Sequence, residues 1–136
     1  MRSDRWLRAI GYGLLAEIST IVTIIAVVMI YRYGLARDPR DADDAAFLVR
    51  VGAVVGMIGG TVYTFIFARL LTRALSGRFV AHGIVVAVAA VALSVGGSIA
   101  GHQGVPTAYA MASALKIAAG ALAGFLAARD REARLA

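Results

Sequence analysis

Two side chains in this sequence lie where ionisable groups are rare. Glu17 is inside an apolar run from Ala9 to Tyr31, and Lys116 is near the middle of another that begins near Pro106 and ends near Ala128. A charge in such a span costs about 3 kcal/mol or more unless it is paired or hydrated. A carboxylate and an amine so placed can form a buried ion pair that fixes helix register. Alternatively, they can carry protons or hold a charged ligand, since a desolvated amine, unlike a guanidinium, is able to give up its proton. Lys116 is the sole lysine beside thirteen arginines. Helical spacing puts each group on a small, polar stripe: Gly13, Glu17 and Thr20 on one face, and Tyr109, Ser113, Lys116, Gly120 and Gly124 on the other. Both stripes suit a bundle interior, where Glu17 and Lys116 are expected to meet. Counted from Arg8 and Arg129, they lie about 13 Å and about 20 Å along their helices. Helix tilt and the lysine stem close that offset if the two helices are neighbours.

The other candidates are weaker. His82 is about one turn into a third apolar run, where a histidine is either a titrating group near neutral pH or an interfacial, solvated ring. His102 stands beside Gln103 in a short polar stretch. Neither has a partner at metal-ligand spacing, so no metal or cofactor is read. Asp41, Asp43 and Asp44 offer oxygen donors, but their spacing fits no calcium loop, and Arg37 and Arg40 offset their charge, which describes a solvated loop. Cysteine is absent, which removes disulfides, thiolate ligands and thiol nucleophiles. With no phosphate loop, zinc-protease pair or nucleophile elbow either, the chain is not read as an enzyme.

The elements that must position Glu17 and Lys116 follow from hydropathy. The 136 residues are 60% hydrophobic and only 16% charged, with a mean hydropathy of +0.79. A membrane span needs about 20 apolar residues, and four segments qualify, at about 9–31, 51–68, 79–100 and 106–128. The expected fold is all-α, a single integral membrane four-helix bundle covering 1–136. The first segment is too long and too polar at Glu17 for the apolar core of a cleaved signal. Arg2, Arg5, Arg8, Arg69, Arg73, Arg78, Arg129, Arg131 and Arg134 fall on one side of this arrangement, and Arg32, Arg37, Arg40 and Arg50 on the other. The first set marks the cytoplasmic side, which places both termini inside and the acidic first loop outside. The net charge of +6 thus belongs to helix ends and lipid head groups rather than to nucleic acid.

Gly52, Gly56 and Gly60, Gly97 and Gly101, and Gly120 and Gly124 recur at four-residue steps, the device by which helices approach closely in lipid. They are expected to pack the bundle, or to dock a second copy or another membrane protein. No internal repeat accompanies them. The expected function is a structural or accessory membrane subunit of the bacterial inner membrane that binds a partner. The alternative is a small transporter or permeation component, with or without proton coupling, centred on Glu17 and Lys116.

The stretch Gly13-Leu14-Leu15-Ala16-Glu17-Ile18 is similar to the first helix of the small multidrug resistance transporters, which also have four helices and an embedded glutamate. The resemblance implies proton-coupled export of lipophilic cations by a dimer, with Glu17 shared between proton and substrate. It covers less than a tenth of the chain. The third span lacks that family's tryptophan and tyrosine, the first loop is longer and acidic, and Lys116 brings positive charge near a cation site. The chain is therefore not assigned to the family.

Overall fold

Long runs of Ala, Leu, Val and Ile without an internal proline propagate as helix, and four such helices make up the structure, a computed structural model that describes residues 3–35, 45–101 and 107–135. They are α1 (Ser3–Ile30), α2 (Ala45–Arg73), α3 (Phe79–Ala100) and α4 (Thr107–Leu135), with a π-helical turn at Tyr31–Leu35 continuing α1. No strand occurs among the described residues. All four helices are long and apolar enough to cross a membrane. The helices outrun the apolar runs: α2 starts at Ala45 rather than Val51 and ends at Arg73 rather than Ala68, and α4 continues past Ala128 to Leu135. Arginine, leucine and alanine are strong helix formers, so the backbone continues where the apolar stretch stops. Asp41, Asp43, Asp44, Arg37, Arg40, His102, Gln103 and Pro106 lie outside the described residues.

The tight connection from α2 to α3 is made by backbone bonds. Ala74 N donates to Leu71 O and Leu75 N to Thr72 O. Arg78 then takes a left-handed conformation, φ 54° and ψ 37°, immediately before α3, an arrangement that costs a non-glycine residue about 1–2 kcal/mol. Its carbonyl recovers part of that by accepting from both His82 N and His82 Nδ1.

In cross-section α1 packs against α2 and α3, and α4 packs against the same two, so α1 and α4 occupy opposite corners. The interior is built from small side chains: Ala9, Ala16, Ala68, Val86, Ala87, Ala90 and Ala123 are buried, whereas Leu15, Ile18, Ile25, Val54, Ile58 and Phe125 are exposed. Small residues let backbones touch. A Cβ on Gly83 would overlap the Gly120 carbonyl, one on Gly120 would overlap the Gly83 carbonyl, and one on Gly124 would lie 2.6 Å from the Phe79 carbonyl oxygen. Gly13 seats α1 equally closely on Val86 and Ala89 of α3.

Candidate functional site

Lys116 Nζ donates a hydrogen bond to Glu17 Oε2 at 2.5 Å. Both residues are buried, with Glu17 5% and Lys116 3% exposed. The two charges meet although α1 and α4 are not neighbours, so the sequence's condition that the two helices be adjacent is not needed, and the contact runs across the diagonal. Gly60 of α2 opens the way. A Cβ there would lie 2.5 Å from Lys116 Cε, 3.2 Å from Nζ and 3.7 Å from Thr20 Oγ1. The lysine stem thus crosses the bundle over a bare stretch of α2 backbone. Thr20, one turn above Glu17, gives its hydroxyl to Ala16 O, and Thr23 and Tyr63 share a hydrogen bond of 2.9 Å between α1 and α2.

This level divides the bundle. Among the described residues, every buried position except Ser98 lies between the Glu17–Thr20–Lys116 level and the arginine-rich end. The half beyond it is more open. The glycines sort accordingly: Gly60, Gly120 and Gly124 stand at close approaches, whereas a Cβ on Gly52, Gly56 or Gly97 would meet nothing within 4 Å. Gly101 ends α3, its N–H bonding to Gly97 O.

Sequence reasoning missed Thr64 and Gly83. Thr64 is completely buried one turn from Gly60, and its hydroxyl has no hydrogen-bond partner. The hydroxyls of Thr20, Thr23, Thr61 and Thr72 instead donate to the carbonyl four residues earlier. The four-residue step from Gly60 to Thr64 was the available signal, as was the step from Gly83 to Ala87 for the α3–α4 contact.

A second polar cluster lies at the arginine-rich end. His82 is 4% exposed rather than solvated, because Trp6 covers it in a parallel stack with ring centroids 4.2 Å apart. Its Nδ1 must donate, since its partner is the Arg78 carbonyl oxygen, and its Nε2 is buried without a partner. A cavity of about 210 Å³ beside it is lined by Arg5, Trp6, Ser76, Gly77, Arg78 and His82. Across the same end, Arg69 pairs with Asp130, holding α2 to α4. The Arg69 side chain is 16% exposed, so it is drawn into the bundle. At the opposite end Tyr31 stacks on Phe47, joining the end of α1 to the start of α2.

The geometry offers a neutralised ion pair that crosses the bundle, and a set of cationic side chains gathered at one end. No family model, curated protein or solved structure matches the chain.

Proposed function

We propose that the chain is a small integral membrane protein of accessory type, with its arginine-rich end cytoplasmic, and that it acts by docking a partner helix or a second copy of itself. The observation that carries this reading is the diagonal Glu17–Lys116 pair. Each charge is answered by the other, so the pair works as a clamp between α1 and α4 and needs no ligand to be stable. The membrane part of the reading is supported by the inverted surface. Leu, Ile, Val and Phe face outward along all four helices while alanine, glycine and threonine face inward, an arrangement suited to lipid and adverse in water. Orientation is supported by Arg5, Arg8, Arg69, Arg73, Arg78, Arg129, Arg131 and Arg134, which all fall at the end where α1 starts and α4 finishes. The bacterial inner membrane is the setting that fits a bundle of this kind. Docking is supported by Gly52, Gly56 and Gly97, which leave open, sterically undemanding strips in the looser half.

Two experiments test the reading. Single cysteines at positions 3, 43 and 104 are labelled in intact cells by a membrane-impermeant reagent, with positions 43 and 104 expected to react and position 3 to stay protected. Purification in mild detergent, with identification of the chains that co-purify, tests the accessory role. A sole homodimer whose reconstituted vesicles move protons would replace it with the transporter reading.

A further inference from the structure

A groove of about 580 Å³ opens at the arginine-rich end between the last turns of α2 and α4 and the start of α3. That volume is in the range of small-molecule sites, about 300–1,000 Å³. Four guanidinium groups line it, those of Arg69, Arg73, Arg131 and Arg134, against a single carboxylate, that of Asp130. Asp130 is committed to Arg69 Nη2, while Nη1 of the same guanidinium is buried with no hydrogen-bond partner. Arg131 donates to the Leu75 carbonyl at 3.4 Å and lies over the Phe79 ring, 5.9 Å from its centroid. Arg73 and Arg134 are exposed at the rim and make no ion pair among the described residues. The helix ends contribute partial charges of about half an electron each, so the arginine excess dominates the field.

We propose that this groove binds a phosphate group. Guanidinium forks match phosphate oxygens two by two, and a preset, partly desolvated fork loses little entropy on binding. Arg69, fixed by its pair with Asp130, and Arg131 present guanidinium groups at the groove wall, while Arg73 and Arg134 close over the ligand from the rim. Basic pockets between helices at the cytoplasmic face hold anionic phospholipid head groups. A soluble phosphomonoester presents the same chemistry. The lipid source rests on the membrane orientation proposed above.

The test uses the full chain in mild neutral detergent, titrated separately with phosphatidylglycerol, phosphatidylcholine and glycerol 3-phosphate, with the thermal unfolding midpoint as readout. Phosphatidylglycerol raises the midpoint and phosphatidylcholine does not. Each rim guanidinium that hydrogen-bonds the phosphate is worth about fivefold in affinity, so Arg134→Gln alone raises the half-saturating lipid concentration about fivefold and Arg73→Gln with Arg134→Gln about 25-fold. The control pair Arg8→Gln with Arg129→Gln, at the same end but outside the groove, leaves it unchanged. Stabilisation by glycerol 3-phosphate, lost in the groove variants, keeps the phosphate site and makes its source soluble. Equal effects of the two lipids, equal effects of the groove and control pairs, or no response to any phosphate would overturn the proposal. Release of the chain from membranes by alkaline carbonate removes the membrane reading and the lipid source together, while the soluble arm still tests the groove.

Discussion

Removing one member of the Glu17–Lys116 pair should be worse than removing both. The side chains are 7% and 4% exposed, so neither charge has bulk water as an alternative partner. Breaking a buried pair from one side costs about 3–5 kcal/mol, which applies to Glu17→Gln and to Lys116→Met alike. Simple addition would then put the double variant at about 6–10 kcal/mol. The structure argues for much less. Methionine keeps the unbranched stem that lies over Gly60, and glutamine keeps the shape of Glu17, so the double variant loses the hydrogen bond but leaves no orphaned charge. Its expected cost is about 1–3 kcal/mol, that of a buried polar group without its partner. The coupling energy is therefore at least about 3 kcal/mol, far above the scatter of independent sites. Unfolding by increasing denaturing detergent in mixed micelles, followed by far-UV circular dichroism, measures all four species. Additive effects within about 0.5 kcal/mol would refute the clamp, and each charge would then need a separate partner.

The glycines should divide by what their added methyl meets. Gly83→Ala drives a Cβ into the Gly120 backbone carbonyl and separates α3 from α4, with a loss of about 3 kcal/mol or more, whereas Gly60→Ala meets only the flexible end of Lys116 and is relieved in the Lys116→Ala background. Gly56→Ala meets open space and should raise midpoint stability by up to about 1 kcal/mol through helix propensity; the same detergent titration checks all three. Trp6, the sole tryptophan, reports on its stack with His82: His82→Ala uncovers one ring face, so acrylamide quenching should rise and the emission should shift to the red, and unchanged quenching would exclude the stack.

Hydropathy made four helices legible because each span is predominantly apolar, and the small, polar stripes on α1 and α4 made the inward faces of Glu17 and Lys116 legible too. What hydropathy could not supply was the inward face of α2 and α3, whose apolar residues surround the helix and leave no contrast to read. Gly52, Gly56 and Gly60 therefore look equivalent in sequence, yet only Gly60 lies at a level where a neighbour must pass. Gly97 and Gly101 drew attention on α3, whereas the contact that brings α3 onto α4 is at Gly83. The order of helices around the bundle was equally invisible, since a contact between Glu17 and Lys116 is compatible with adjacent or with opposite helices. Opposite corners make the pair more constraining. An adjacent pair would tie two helices along one seam, but a diagonal pair must fit its stem past α2, so Gly60 and the small interior around it become conditions for the charges to meet. The alanine-rich packing below that level and the open half above it follow from the same geometry: where the lysine crosses, the bundle is narrow enough for a single side chain to span, and beyond it nothing among the described residues draws the four helices together to the same degree.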